Sequence, residues 1–128
     1  MLALRGRVLP DTHTIVAAAL QIEGLSLMDL GRILEAEPLL HESLALRQRA
    51  LPAGHWLIAA SESSLGACLV AAHRFREAEP LLLHGYEGLR ASRGDAHERT
   101  IEARLRIQSL YEAWGKSGRA AAFRVDNR

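Results

Sequence analysis

The sequence predicts an all-α protein, an α-solenoid of stacked antiparallel helix pairs, on three observations. First, 21 Ala and 22 Leu stand against 13 β-branched residues (Val, Ile, Thr) in a chain of 128, and Ala and Leu are the strongest helix formers. Second, Glu35-Ala36-Glu37-Pro38-Leu39-Leu40 recurs unchanged as Glu77-Ala78-Glu79-Pro80-Leu81-Leu82, 42 residues on. Self-similarity at a fixed period of this size is the signature of a repeat architecture. Third, apolar residues within each period fall three and four apart, which places them on one side of a helix. No alternating strand pattern competes.

The period extends along the chain. It superimposes His13, His55 and His97, pairs Gly24 with Gly66, Arg32 with Arg74 and Ala78 with Ala120, and relates Gly31 to Gly115 two periods on. Leu2 to Pro10 reads LALRGRVLP against LALRQRALP for Leu44 to Pro52, seven matches in nine. A single domain over 1–128 follows, opening partway through a unit: a partial helix B at 2–9, repeat 1 at about 13–51, repeat 2 at about 55–91, and a truncated repeat 3 at about 97–124.

Each unit divides into a helix A and a helix B. Helix A of repeat 2 is expected from about Leu57 to Ala71, with Ile58, Leu65, Leu69 and the small Gly66 on one side. Pro80 would break a helix interior, but a proline lacks only a donor that the first turn leaves unpaired. Helix B therefore begins at about Phe75 to Glu77, and Pro38 sets the same limit near Ile33 to Glu35. Pro52-Ala53-Gly54 and Ser92-Arg93-Gly94-Asp95 supply the turns between units. A third A helix runs from about His97 to Trp114, and a short final helix lies near Ser117 to Arg124.

Composition bounds the function classes. Sixteen basic and 15 acidic residues give a net charge of +1, too balanced for the electrostatic grip on phosphates that nucleic-acid binding needs. Apolar runs stop at Glu23 and Glu62, short of the roughly 18 residues that a membrane helix requires. Residues 1–10 carry Arg5 and Arg7 and lack a small-residue cleavage site, unlike a secretory signal. One cysteine, Cys68, cannot form an intrachain disulfide, and a cytoplasmic setting is expected.

A two-helix unit with a small residue at its eighth position and alanine at its twentieth resembles the tetratricopeptide repeat. Gly24 with Ala36, Gly66 with Ala78, and the degenerate Gln108 with Ala120 occupy those positions. The long period and the order His, helix A, Gly-Arg, Glu-Ala-Glu-Pro-Leu-Leu are similar to the kinesin light chain type. Such repeats also occur in bacterial signalling proteins, next to eukaryotic-like serine/threonine kinase domains. The resemblance implies a right-handed superhelix and protein binding without catalysis or cofactor. Where that type carries paired asparagines on the inner face of helix A, this chain has Gln21-Ile22, Ser63-Ser64 and Leu105-Arg106, so a carboxamide clamp on a peptide backbone is not expected.

Stacked units bury their apolar stripes against one another and curve as they stack, leaving a groove lined by the A helices. The groove residues read from helical spacing are Ala18, Gln21, Leu25 and Met28; Ala60, Ser63, Ala67 and Val70; and Glu102, Leu105, Ser109 and Glu112. This surface suits an extended segment or helix of a protein partner. A chain that opens in mid-unit also exposes a helix face, which makes a homo-oligomer the second expectation, with an enzyme whose site is assembled only through the fold as a remote third.

Other constellations give weaker readings. The three repeated histidines cannot share a metal, because stacked helices lie about 8–10 Å apart and zinc needs nitrogens within about 2 Å. A structural role at the entry to helix A is expected for them. Gly115-Lys116-Ser117 lacks the earlier glycine of a phosphate loop, having Leu110 there. Gly24-Leu25-Ser26-Leu27-Met28 lacks the second glycine of a nucleophile elbow, and Cys68 has no histidine nearby in sequence. Glu62 and Arg104 stand one period apart and are expected to form an ion pair between adjacent A helices. Trp56 and Trp114 read as packing residues between units. Arg90, Arg93, Arg99, Arg104 and Arg106, interleaved with Asp95, Glu98 and Glu102, read as a solvated face on which Glu102 reaches Arg106.

Overall fold

A computed structural model describes the backbone of residues 2–123 and the side chains of residues 12–123. The chain folds into α1 (Leu2–Asp29), α2 (Ile33–Ala50), α3 (Trp56–Ala71), α4 (Phe75–Arg93), α5 (Glu98–Ala113) and α6 (Ser117–Ala122), with no strand among the described residues. Helices α1 and α2, α3 and α4, and α5 and α6 form successive pairs, and each pair packs on the next. Among the described residues neither α1 nor α2 packs on α4, α5 or α6, the nearest-neighbour pattern of a solenoid.

The turns inside the pairs repeat with the sequence. Gly31, His73 and Gly115, 42 apart, adopt φ of 80°, 61° and 80°. In each turn two N–H groups reach back onto the final carbonyls of the preceding helix. Arg32 donates to Leu27 O at 2.8 Å, Arg74 to Leu69 O at 2.9 Å and Lys116 to Tyr111 O at 2.7 Å. This is the Schellman closure, whose left-handed residue is usually glycine. Helices α2 and α4 start at Ile33 and Phe75 as expected, and Pro38 and Pro80 stand at their sixth positions. The carbonyls they leave without an N–H belong to Leu34 and Arg76, both exposed to water.

The amino-terminal part corrects one expectation. Residues 2–29 form a single helix, so a partial helix B at 2–9 separated from repeat 1 is not what the backbone adopts. The reason lies in the turn chemistry. The loop before α3 closes on Gly54 at φ 85°, and one period earlier Thr12 stands in that place. With no residue suited to positive φ, the helix runs through. Side chains of residues 2–11, which carry the match to Leu44–Pro52, lie outside the described residues, as does Arg124 at the expected end of α6.

The core is one continuous cluster running through all three pairs, from Ala36, Leu40 and Leu44 through Leu65, Leu69 and Leu82 to Ile107, Leu110 and Ala120. Small residues let the first two pairs close. A Cβ at Gly24 would come within 2.7 Å of the Leu40 side chain, and one at Gly66 within 2.6 Å of Leu82. Leu40 and Leu82 fill the space the glycines leave, and both are almost fully buried.

Candidate functional site

The A helices α1, α3 and α5 lie side by side, and polar side chains bridge them in two steps. Gln21 Nε2 donates to Ser64 Oγ at 2.8 Å, tying α1 to α3, and Arg106 Nη1 donates to Ser63 Oγ at 3.0 Å, tying α5 to α3. Both links join residues 43 apart, one more than the repeat, because neighbouring helices present facing rather than identical sides.

Behind the first link lies a buried polar network. Arg47, on the last turn of α2, donates from Nη1 to Gln21 Oε1, to Ser61 Oγ at 2.9 Å and to the Leu57 carbonyl at 3.3 Å. Ser43 Oγ donates to the Ala17 carbonyl at 2.7 Å and lies 3.5 Å from Ser61 Oγ. Gln21, Ser43, Arg47, Ser61 and Ser64 are all buried. Burial, then the charge of Arg99, lowers the Arg47 guanidinium from its ordinary value. These groups were not legible as a unit in the sequence, which signals only that Arg47 stands where Leu89 stands one period on.

The twelve expected groove residues divide by burial. Gln21, Ala60 and Ser63 are buried, and Gln21 and Ser63 are engaged by Arg47, Ser64 and Arg106 rather than presented to a partner. Leu25, Met28 and Val70 are half-buried and pack against the core. Ala18 and Ala67 are half-buried, and Glu102, Leu105, Ser109 and Glu112 are exposed. The open part of this face is therefore small and apolar at Ala18 and Ala67 and mixed on α5, where Leu105 stands among Glu102, Ser109 and Glu112.

The Glu62 and Arg104 expectation is corrected. Glu62 turns toward its own helix B, where His84 Nδ1 stands 2.8 and 2.9 Å from its carboxylate oxygens, and Arg104 Nε donates to the Phe123 carbonyl at 3.1 Å. Equal positions in successive A helices are not automatically partners, because Glu62 lies on the side of α3 that meets α4. Glu102 does stand 3.7 Å from Arg106, but Arg106 is half-buried and not part of a solvated face.

The repeated histidines also divide. His55 and His97 cap α3 and α5, their Nδ1 atoms accepting from Leu57 N at 3.0 Å and Arg99 N at 3.1 Å. His13 lies inside α1 and has no such place, for the reason already given at Thr12. Trp56 stacks on His55 at 6.2 Å beneath the Arg93 guanidinium, within its own pair. Trp114 joins units, stacked on Phe75 of α4's first turn at 5.9 Å and covered by Lys116. Phe75 and Trp114 line a cleft of about 280 Å³ together with His73, Arg74, Arg76 and Glu77.

Cys68 is buried, and burial, ahead of the nearby Glu37, pushes its thiol upward, which keeps it protonated and poorly nucleophilic. No helix among the described residues is long and apolar enough to cross a membrane.

Helical hairpins in register, the first two closed by glycine at the crossing and all three stacked through a shared core, define an α-helical repeat protein. The tetratricopeptide repeat family matches residues 15–91, more than half of the chain, and the chain belongs to that family. The match spans α2 and α3 whole, with about half of α1 and most of α4. No curated protein matches the chain. Repeats of this family are in general protein–protein interaction modules without catalysis of their own.

Proposed function

We propose that this protein recognises another polypeptide on the surface formed by α1, α3 and α5, as a non-catalytic scaffold within a bacterial signalling or regulatory system, with repeats of the kinesin light chain type. The supporting observation is the open strip along that surface. Ala18 and Ala67 leave room for a partner's side chains, while exposed Leu105, Ser109, Glu102 and Glu112 offer mixed polar and apolar contact on α5. An extended segment or a helix suits such a strip better than a small molecule suits an enclosed pocket. The residues that bear the interaction are Ala18, Ala67, Leu105 and Ser109, with Leu25, Met28 and Val70 beneath them.

The test is capture of a partner by the immobilised protein and by a variant carrying Ala67→Arg and Ser109→Arg. Both positions have solvent on them, so the variant keeps its helical circular dichroism while the new side chains fill the strip. Loss of the captured partner supports the reading. Equal capture moves the site off this face. Ser63→Arg is unsuited to the purpose, because Ser63 is fully buried and the change would unfold the stack.

A second reading, self-association, draws on a different surface. Ile15 (70% exposed), Ile22 (67%), Leu30 (69%) and Leu34 (86%) leave apolar side chains in water on α1, the turn after it and the start of α2. Their counterparts one period on are Leu57, Ser64, Ala72 and Arg76. Light scattering over a range of concentrations, on the wild type and on Ile22→Lys, tests it. A strict monomer throughout removes it.

A further inference from the structure

A second cleft opens on the side of the stack that carries the B helices. Helices α2 and α4 both pack on α3 but not on each other, which leaves a furrow between them. A cleft of about 360 Å³ lies there, lined by Gln48 from the last turn of α2, Ala53 and Gly54 from the loop after it, Ile58 and Glu62 from α3, and His84 from α4. Of these six, Glu62 and His84 alone can carry charge.

Glu62 is a carboxylate held out of water with too few partners. It is 8% exposed, and a carboxylate offers about four acceptor sites, yet its one hydrogen-bond partner among the described residues is Nδ1 of His84. That side chain is 76% exposed and makes no other hydrogen bond among the described residues. An ion removed from water is ordinarily set against a counter-ion, since desolvation is otherwise uncompensated, and the packing here supplies no permanent cation. Nor does the repeat require an acid at this place, since Leu20 and Arg104 hold the matching positions.

The geometry says what would fit. His84 Nδ1 stands 2.8 and 2.9 Å from the two Glu62 oxygens, so both oxygens turn together toward it, the presentation that a guanidinium meets with two parallel hydrogen bonds. The next furrow shows such a side chain in place. Arg90 and Asp95, one period on from Gln48 and Ala53, form an ion pair with Nε 2.9 Å from Oδ1. There the chain lays down its own arginine, whereas here Gln48 and Ala53 leave the cleft open and no guanidinium reaches the acid.

We propose that this cleft receives an arginine side chain from a polypeptide partner, its guanidinium displacing His84 from both oxygens of Glu62 and its aliphatic stem lying along Ile58 and Ala53. The site is separate from the α1, α3 and α5 surface and does not depend on it. His84 occupies the carboxylate while the cleft is empty and, lying mostly in solvent, swings aside. Lysine is the poorer fit, because its compact ammonium is more strongly hydrated and cannot span both oxygens in a planar fork.

The test probes arrays of short peptides, degenerate except for one fixed residue, with the fluorescently labelled protein. Fixed arginine is expected to be enriched about tenfold over fixed citrulline, its uncharged isostere, the factor that one charge-assisted hydrogen bond is worth, and by less over fixed lysine. Glu62→Gln removes the charge and abolishes the preference. Gln48→Arg, at an exposed position and copying Arg90, fills the cleft with the chain's own guanidinium and abolishes it too, with helical circular dichroism retained, so the test survives a Glu62→Gln variant that fails to fold. His84→Ala frees the carboxylate and strengthens the preference, and Ala67→Arg, on the other face, leaves it unchanged. Equal binding of arginine and citrulline overturns the proposal, as does a preference that persists in Gln48→Arg or is lost in His84→Ala. A preference that Ala67→Arg removes overturns it as well and assigns arginine to the A-helix surface instead.

Discussion

The first seam of the stack, where α1, α2 and α3 meet, is joined by a buried polar network, while the second, where α3, α4 and α5 meet, has small and apolar residues at the matching positions, though Arg106 and Tyr111 still bridge it to Ser63 and Glu79. Position by position, Ser43, Arg47 and Ser61 in the first become Gly85, Leu89 and Ala103 in the second, all of them buried. The backbone plan is the same. Ser43 reaches the Ala17 carbonyl with a hydroxyl, whereas the equivalent Gly85 brings the α4 backbone close to the equivalent Ala59 carbonyl, which a Cβ would meet at 2.8 Å. A repeat thus conserves where helices start, turn and cross, while the chemistry that joins them is free to change from hydrogen bonding to close contact.

Exchanging residues between the seams should expose that difference, most strongly at Gly85. Gly85→Ser places a Cβ 2.8 Å from the Ala59 carbonyl and 3.0 Å from the Ser63 nitrogen. Both are backbone atoms that cannot step aside, and the expected cost is about 3 kcal/mol, the upper part of the range for overpacking. The reciprocal Ser43→Gly has nothing to clash with. It loses one buried hydrogen bond and adds a glycine to a helix interior, for about 1.5 kcal/mol. Urea unfolding followed by circular dichroism compares the two, and equal costs would mean the pairs are not spaced differently.

Arg47 offers the next contrast. Arg47→Leu copies the second seam into the first, trading three hydrogen bonds for the removal of a desolvated charge. The change in stability is expected to stay within about 1 kcal/mol, since buried ionic groups replaced by well-packed apolar ones are often neutral or better. Arg47→Ala removes the same charge and leaves the volume empty, so it should be less stable than Arg47→Leu by about 2 kcal/mol. If both variants lose stability equally, hydrogen bonding and not packing carries this position.

Much of the fold was legible because it depends on local rules. The glycines at 24 and 66, the starts of α2 and α4 ahead of Pro38 and Pro80, and the caps at His55 and His97 each follow from a residue type and its neighbours. The polar seam was not legible. It requires knowing that Arg47 on a B helix passes between two A helices to reach Gln21, and nothing within a few residues of Arg47 records that. Glu62 was misread for a related reason: a period identifies equivalent positions, but contact between helices depends on which side each position faces. His73 lay between the two. Gly31 and Gly115 sit one period before and after it, and that alone marks position 73 as one where positive φ is required.

Because its neighbours in the repeat are glycines, His73→Gly is expected to stabilise the protein. A side chain at φ 61° costs roughly 1 kcal/mol relative to glycine, partly offset here by the edge contact of the imidazole with Phe75 at 5.6 Å. The net gain should be somewhat under about 1 kcal/mol, a rise of a few degrees in Tm for a domain of this size. Phe75→Leu in the His73→Gly background separates the two contributions. A loss of stability in His73→Gly would mean the ring contact outweighs the backbone strain.

The smallest contrast concerns how each repeat holds its glutamate. Glu37 is met by Arg74 of the next unit at 2.7 Å. The equivalent Glu79 is met instead by the hydroxyl of Tyr111, which donates at 2.7 Å, with Arg119 at 3.4 Å, while Lys116, in the place of Arg74, lies over Trp114. Burial, then the hydrogen bond to the Glu79 carboxylate, raises the Tyr111 phenol to about 12. An unfolded tyrosine ionises near 10, so the folded state holds this proton more tightly. Its contribution is complete below about pH 10 and is lost as pH climbs toward 12. Tyrosinate absorbance of the folded protein should contain a component rising near pH 12 that disappears in Tyr111→Phe, and the wild type should lose its stability advantage over that variant across the same interval. A single transition near pH 10 accounting for both tyrosines would place Tyr111 in water and remove its link to Glu79.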